Sequence, residues 1–309
     1  STGLIYYKKF KKKYPNIKKL SEANSEALLK DWEGLGYYAR AKNLHSTAKF
    51  IQNELSGIFP NSQKELIKLK GVGRYSSSAI ASICFNEKTP AIDGNVYRVL
   101  SRIFGIKLNI SLNSTYSCFY KKSMTLIKEF KNAGDYNQSL MDFGSIQCLP
   151  KKPLCSNCNQ NKICYAFAHK KQDELPVKKR SVMIIKRYFN YYVFSYKDKF
   201  LVKKRGYSDI WGGLYEFYIE EKKKLIKTPD QINNNIKNLI KKKYSIEFSD
   251  AKTKLSHQEI FVSFIEIKLF NSHDFKKLKK KLDLFGANKK KLNMIAKPKV
   301  INEYLKKIS

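Results

Sequence analysis

The sequence predicts two domains of different class, an all-α domain followed by an α+β domain. Up to about residue 168, apolar side chains recur with helical spacing, and Gly and Pro interrupt them. From about residue 181, the pattern changes to runs rich in β-branched and aromatic residues, which are typical of strands. A polar, charged, proline-containing stretch, HKKQDELPVKKR at 169–180, separates the two patterns and is typical of a linker.

The helices of the first domain are predicted from apolar spacing, from capping residues and from helix breakers. A basic amphipathic helix is expected over Leu4–Lys13, where Pro15 ends it. Asn61 is the expected N-cap of a short helix in the middle of the domain. The other helices are expected over residues 25–32, 38–55, 65–69 and 75–85.

The second domain is expected to mix strands with helices. The segments SVMIIKRYFNYYVFSY and FLVKK are predicted strands, and the intervening KDK predicts a hairpin turn. Helices are expected over residues 229–243 and 274–284. The sequence thus predicts an α+β domain over residues 181–309.

The charge of the chain points to a polyanionic partner. Lys and Arg number 61 against 26 Asp and Glu, which gives a formal net charge of +35. Nucleic acid is the usual partner of such an excess. Lys, Asn, Ile and Tyr are abundant together, as in proteins from AT-rich genomes, so charge alone supports DNA binding only modestly.

The cysteines and apolar runs indicate a cellular compartment. No apolar stretch resembles a signal peptide or reaches the length of a membrane span. The expected location is therefore the reducing cytoplasm, where disulfides are rare. Cys84 and Cys118 lie in apolar segments with helical spacing and are expected to pack as small hydrophobic residues.

The other four cysteines lie together in CLPKKPLCSNCNQNKIC, residues 148–164. Disulfides, a zinc site and an iron–sulfur cluster are the alternatives. Zinc sites usually pair their ligands in two short knuckles with a long gap between them, whereas these thiols form one compact run. Sulfur-only ligation from a single loop favours a [4Fe–4S] cluster over zinc. The expected ligands are Cys148, Cys155, Cys158 and Cys164.

A second informative stretch is LKGVGRYSSSAIAS, residues 69–82. Gly71, Val72 and Gly73 lie between two predicted helices, where a tight turn can present backbone N–H groups and a helix N-terminus to phosphate. A packed turn is the alternative. Some twenty residues further on, Asp93 precedes Gly94 and another predicted helix, so an N-cap is its simplest role.

Together, the GVG hairpin, the loop Asp and the cysteine loop resemble the endonuclease III superfamily of DNA glycosylases. Within that superfamily the chain resembles the MutY family over nearly its whole length. Three stretches carry this closer resemblance: GLGYYARAKNLH at 34–45, YNQSLMDFGSIQC at 136–148 and WGGLYEF at 211–217. The resemblance implies an all-α helix-hairpin-helix glycosylase domain at 1–168, with its hairpin at about 62–85 and its cluster loop at 148–164. It also implies a Nudix-like domain at 181–309.

The resemblance implies an enzyme of base excision repair. Its expected reaction is hydrolysis of the N-glycosidic bond of adenine mispaired with 8-oxoguanine or guanine in double-stranded DNA. Asp93 matches the catalytic carboxylate of the family, and Tyr75 and Asn95 match residues of the catalytic pocket. The bifunctional branch has a Lys at the position of Tyr75, so strand cleavage through an imine is not expected. A monomer associated with the nucleoid in a bacterial cytoplasm is implied.

One expected catalytic group is missing from the sequence. The family places its general acid, a Glu, on a helix that precedes the residues matching STGLIYY, and this chain begins there without Met. We therefore expect an N-terminally truncated chain that is inactive or weakly active. A lesion-binding protein without catalysis and an endonuclease III-like glycosylase with lyase activity are the alternatives.

The resemblance also implies residues that recognise the lesion. Tyr37 matches an aromatic side chain that wedges into the duplex beside 8-oxoguanine, and Arg40 is expected near phosphate. In the second domain, Leu255, Ser256 and His257 occupy the place of a Phe-Ser-His turn that reads 8-oxoguanine. Nucleotide hydrolysis is not expected, because a Nudix hydrolase carries metal-binding acids where this chain has, in order, Leu239, Lys242 and Lys243.

Overall fold

The protein is described by a computed structural model over residues 2–179, 183–240 and 244–308, with only the backbone of Thr2. The chain divides into two compact units. Unit 1 combines Ser1–His45 with Val182–Ser309, and unit 2 comprises Ser46–Ser181. These units divide the chain differently from the predicted domains at 1–168 and 181–309, which remain predictions.

Helices dominate the chain up to residue 168, as predicted. Within the described residues they are α1 (Thr2–Lys13), α2 (Ile17–Ser21), α3 (Ser25–Asp31), α4 (Tyr38–Glu54), α5 (Gln63–Leu66), α6 (Arg74–Phe85), α7 (Gly94–Phe104), α8 (Tyr116–Ile127), α9 (Ala133–Ile146) and α10 (Tyr165–Ala168). No described helix combines the length and the apolar composition needed to cross a lipid bilayer.

Two details of this region differ from the prediction. The cap of α5 is Ser62, whose hydroxyl accepts the Glu65 N–H at 3.3 Å, and not Asn61. Ser62 lies in extended backbone directly before the first residue of α5, where a serine hydroxyl caps a helix as well as an asparagine side chain does. Cys84 and Cys118 are exposed and not packed in the core, because other residues form the buried faces of α6 and α8.

The C-terminal part of unit 1 contains one sheet. Its described strands are β1 (Ile185–Tyr196), β2 (Lys199–Lys204), β3 (Tyr215–Glu216), β4 (Tyr218–Lys222), β5 (Tyr244–Lys254), β6 (Gln258–Leu269) and β7 (Phe285–Asn288). The strand order is β3-β2-β1-β6-β5, with β4 on β1 and β7 on β2. Strands β1 and β6 are parallel, and the other pairs are antiparallel. Tyr196 pairs with Lys199, which confirms the predicted hairpin.

Helices cover both faces of this sheet, so the predicted α+β architecture is confirmed. Alternate residues of β1 point to opposite faces, with Tyr191 in one apolar cluster and Tyr192 in the other. The described helices here are α11 (Asn234–Leu239), α12 (Ser272–Lys281), α13 (Lys289–Met294) and α14 (Lys299–Lys307). Leu239 ends α11 in the region of the predicted helix at 229–243, whereas Lys242 and Lys243 lie outside the described residues.

The first 45 residues belong to unit 1 because they share a core with the C-terminal residues. The cluster that joins them consists of Leu29, Tyr38, Ala41, Leu214 and Ala296. Two hydrogen bonds support it: the Tyr38 hydroxyl donates to the Lys297 carbonyl at 3.3 Å, and the Lys297 N–H donates to Glu33 at 2.8 Å. These contacts connect residues more than 250 positions apart.

The described residues of the predicted linker, 169–179, belong to unit 2 and pack against other residues of that unit. Leu175 is buried, and its carbonyl accepts a hydrogen bond from the Arg102 guanidinium at 2.9 Å. The Ile110 N–H donates to the Val177 carbonyl at 2.9 Å. Residue 180 lies outside the described residues.

Candidate functional site

The GVG hairpin leaves the N-terminus of α6 open. Gly71 has φ +82°, a conformation that favours glycine, and Gly73 is the N-cap of α6. Because Gly73 has no side chain, no side-chain hydrogen bond caps α6. Gly71 and Gly73 are exposed, and Thr47 fixes the turn by donating to the Lys70 carbonyl at 2.8 Å. The backbone N–H groups of the first turn of α6 are therefore available to an anion.

Asp93 is the N-cap of α7, so its predicted capping role is confirmed. Its Oδ1 accepts the backbone N–H groups of Asn95 and Val96, both at 2.8 Å. Its Oδ2 accepts the Asn95 side-chain amide at 3.0 Å. The carboxyl group is partly exposed and is held in one orientation at the positive end of a helix.

Asn95 is fixed from its other side. Its Oδ1 accepts a hydrogen bond from the Arg98 guanidinium at 2.9 Å. A Cβ at Gly144 of α9 would lie 2.6 Å from the Asn95 Cβ, so α9 can approach Asn95 this closely only with glycine at that position. The second catalytic candidate is thus held between Asp93, Arg98 and Gly144.

We expect Gly144→Ala to lower the midpoint of thermal unfolding. The added methyl group overlaps Asn95, and overpacking of this kind typically costs about 1–3 kcal/mol. Gly3→Ala is the matched control, because no heavy atom lies within 4 Å of a Cβ there and Ala favours the helix. Equal unfolding midpoints for both variants would contradict the predicted clash.

Tyr75 follows the hairpin on the first turn of α6. Its hydroxyl donates to the Met141 sulfur of α9 at 3.2 Å, and its ring is partly exposed. Burial raises the pKa of Tyr75, and the negative charge of Asp93 raises it further. Asp93 therefore acts electrostatically on Tyr75, which remains a neutral phenol at physiological pH.

Two buried arginines of α7 connect this region to the cysteine loop, and sequence reasoning missed both. The Arg98 Nε donates to the Cys148 carbonyl at 2.8 Å. One turn later, Arg102 donates to the Cys148 sulfur at 3.4 Å and to the Leu149 and Pro150 carbonyls at 2.7 and 3.1 Å. The available signal was arginine at positions i and i+4 on the apolar face of a helix, because arginine is rarely buried without partners.

The four predicted cysteine ligands line one cavity in unit 2, together with Arg102 and Phe143. The Gln160 N–H donates to the Cys158 sulfur at 3.4 Å, and the Cys164 thiol donates to the Arg102 carbonyl at 3.4 Å. Among the described residues, no three His, Cys, Asp or Glu side chains gather around a point that one metal ion could occupy.

Unit 1 brings together residues from both predicted recognition elements. Tyr37 has φ +48° and is 67% exposed, and its hydroxyl donates to the Ser256 hydroxyl at 3.2 Å. The Arg40 guanidinium lies over the Tyr37 ring at 5.2 Å and over the Trp32 ring at 5.9 Å. Arg40 therefore stacks on both aromatic rings. The exposed Tyr37 ring is held in place by Arg40 and by Ser256.

The Leu-Ser-His turn, residues 255–257, has one packed residue followed by two exposed residues. Leu255 packs against the apolar core on one face of the sheet. Ser256 and His257 are exposed, and the Ile185 N–H of β1 fixes the turn by donating to the His257 carbonyl at 3.1 Å. Leu255 thus anchors the turn at the position where the family pattern has Phe. The Ser256 hydroxyl and the His257 imidazole stay accessible.

Glu26 and Glu33, which lie near the start of the chain, already have hydrogen-bond partners. Hydrogen bonds from Lys204 and Tyr215 hold the pKa of Glu26 below its usual range. Burial alone would raise the pKa of Glu33, but hydrogen bonds, among them one from Lys30, lower it. A general acid needs a raised pKa, so neither residue suits that role.

Two comparisons concern the helical part of the chain. Residues 3–128 match the family described as HhH-GPD superfamily base excision DNA repair protein. The solved structure of a thermostable thymine-DNA glycosylase is 30% identical, with a TM-score of 0.48, and the alignment covers 53% of this chain and 75% of that chain.

Similarity to curated relatives extends over most of the chain. The chain is 34% identical over 267 residues to the adenine DNA glycosylase of Buchnera aphidicola subsp. Baizongia pistaciae. The alignment covers 86% of this chain and 74% of the relative. The chain is 32% identical over 279 residues to the enzyme of the same name from Buchnera aphidicola subsp. Schizaphis graminum, covering 90% and 79%. These matches confirm the resemblance drawn from the sequence, and the chain belongs to the adenine DNA glycosylase family of helix-hairpin-helix proteins.

Proposed function

We propose that the protein is a monofunctional DNA glycosylase that hydrolyses the N-glycosidic bond of adenine paired with 8-oxoguanine or guanine in double-stranded DNA. Family membership supports the reaction class. The observation that carries the proposal is the Asp93 carboxylate, oriented by two backbone N–H groups and by the Asn95 amide at the mouth of α7.

This carboxylate suits the charge that develops during the reaction. Breakage of an N-glycosidic bond builds positive charge on the deoxyribose, and a fixed carboxylate stabilises the resulting oxocarbenium ion or traps it covalently. Because Asp93 is already oriented by α7, little reorganisation is needed when the charge forms. Tyr75 and Asn95 are the proposed neighbours of the sugar.

The hairpin is the proposed phosphate contact. The turn at Gly71, Val72 and Gly73 exposes its two glycines, while the Val72 N–H donates within the turn to the Leu69 carbonyl at 3.1 Å. The uncapped N-terminus of α6 offers N–H donors that bind the DNA backbone without reading its sequence. The excess of positive charge supports the same partner. The target adenine must leave the base stack to reach Asp93, as in other enzymes that act on bases.

We assign the recognition of the opposite base to unit 1. Tyr37 is exposed and stacked under Arg40, so its ring suits insertion beside a lesion. Ser256 and His257 offer hydrogen-bonding groups to 8-oxoguanine. A Nudix-like domain at 181–309 that recognises a base without hydrolysing nucleotides remains our proposal for this region, as does a monomeric, cytoplasmic enzyme at the nucleoid.

Cys148, Cys155, Cys158 and Cys164 are the residues that would hold a [4Fe–4S] cluster. The donor set fits, because four thiols line one cavity and N–H groups point at three of the sulfurs. When bound, the cluster would fix the loop that carries Lys151, Lys152 and Lys162 and so present these lysines to phosphate. Zinc remains the alternative metal.

The test is a single-turnover assay with the enzyme in excess, so that even slow excision is measured. We expect abasic product, revealed by alkali, from duplexes with A:8-oxoguanine and A:G pairs and none from A:T. Binding without any product would favour the non-catalytic alternative. Strand breaks without alkali, together with a borohydride-trapped adduct, would favour the lyase, because they require the amine that Tyr75 lacks.

A further inference from the structure

We infer that Asn137 is a positioning residue that holds the Asp93 loop, residues 86–93 between α6 and α7, in place relative to the hairpin helix α6. The inference rests on the catalytic role proposed for Asp93. Asn137 lies on α9 within the YNQSLMDFG segment, is only 1% exposed, and is not among the candidates that the sequence suggested.

The side-chain amide of Asn137 uses all of its hydrogen-bonding groups except one lone pair. Its Oδ1 accepts the Ala91 N–H at 2.9 Å. Its Nδ2 donates to the Thr89 carbonyl at 2.9 Å and to the Ser82 hydroxyl at 2.8 Å. One amide therefore binds two points of the loop and one point of α6.

The loop needs these bonds because its backbone is buried and irregular. Thr89 and Ala91 are buried, and Pro90 between them has no N–H to donate. A buried backbone group without a partner is costly, so the Thr89 carbonyl and the Ala91 N–H require partners from elsewhere. Asn137 supplies both, on either side of Pro90.

The position of this clamp relates it to both functional elements. Ala91 lies two residues before Asp93, and Ser82 lies on the helix whose N-terminus forms the phosphate-binding hairpin. A shift at Asn137 therefore changes the position of the Asp93 loop relative to α6. Misplacement of a reacting group by about 1 Å can cost about 100-fold in rate.

Asn137→Asp tests the donor function with almost no change in shape. The aspartate can still accept the Ala91 N–H, but it presents an oxygen to the Thr89 carbonyl in place of an N–H donor. We expect the single-turnover excision rate at saturating enzyme to fall at least about tenfold. Affinity for a duplex with 2′-fluoroadenosine opposite 8-oxoguanine should stay within about threefold, because the hairpin is unchanged.

Ser123→Ala is the matched control. It removes a buried hydrogen bond, 2.8 Å long, to the hydroxyl of Tyr136, the neighbour of Asn137 on α9, and that bond does not involve the loop. The excision rate and the duplex affinity of this variant should both stay close to those of the parent. A merely structural role of Asn137 predicts instead that both variants lose rate and affinity in proportion to their folded fraction, which would overturn the inference.

Amide hydrogen exchange over residues 86–95 separates this inference from the proposed function. Exchange should be faster in Asn137→Asp than in the parent and in Ser123→Ala. Unchanged exchange would overturn the clamp even if the parent excises adenine. Faster exchange in Asn137→Asp, together with a parent chain that excises nothing, would support the clamp and contradict the catalytic proposal.

Discussion

Asp93→Asn should lower the rate of adenine excision by about 100- to 1,000-fold, the usual loss when one oriented group that stabilises transition-state charge is removed. The substitution keeps the shape of the side chain and its Oδ1, which can still accept the Asn95 and Val96 N–H groups at 2.8 Å. Asn is also as good an N-cap as Asp, so α7 should remain intact. The loss is therefore expected in catalysis and not in folding.

Single-turnover rates, duplex affinities and unfolding midpoints of the variant and the parent provide the measurement. Asp135→Asn is the control, because Asp135 is an exposed carboxylate in the first turn of α9 in the same unit. This control should excise at the parent rate. If Asp93→Asn kept more than about a tenth of the parent rate, its carboxylate could not supply the stabilisation assigned to it.

Arg102→Met should reduce both the iron content expected from the proposed cluster and the thermal stability of the protein. Arg102 is 2% exposed and donates to four carbonyl groups and to the Cys148 sulfur. Methionine fills much of the same volume but leaves these acceptors without donors, and each buried acceptor left unpaired costs about 1–3 kcal/mol. The cysteine loop and the 172–175 segment should therefore separate from α7.

Iron and acid-labile sulfide per chain, together with the unfolding midpoint, measure this effect. Arg102→Lys should fall between the parent and Arg102→Met, because a single ammonium group cannot reach the acceptors that a planar guanidinium does. Lys151→Met is the control within the same loop, since Lys151 is exposed. Full iron content and an unchanged midpoint in Arg102→Met would show that the cysteine loop holds its position without Arg102.

Local features of the fold were predictable because neighbouring residues determine them. The start of α3 follows from the Asn24 cap, whose side chain accepts the Glu26 and Ala27 N–H groups. The β1–β2 hairpin follows from the KDK turn, and the orientation of Asp93 follows from its place before Gly94. Each of these depends on hydrogen bonds that span three residues or fewer, which a sequence pattern contains.

Contacts between distant residues could not be predicted in this way. Tyr37 and Ser256 were each singled out, but their separation of 219 positions hid their hydrogen bond. The packing of the first 45 residues with the C-terminal residues, and of residues 169–179 within unit 2, depends on contacts that polarity and local spacing do not reveal. A charged or polar residue is assigned to solvent by default, because most such residues are exposed.

The sequence by itself determined the family, the hairpin, the four thiols and the carboxylate that we propose as catalytic, since each is a matter of residue type and short spacing. Only the tertiary structure decided that Arg98, Arg102 and Asn137 are buried. The two arginines join α7 to the cysteine loop, and Asn137 joins the Asp93 loop to α6. The physical reason is that these polar side chains are stable inside the protein only with partners some 46 to 73 positions away. Chain folding, and not local sequence, brings those partners together.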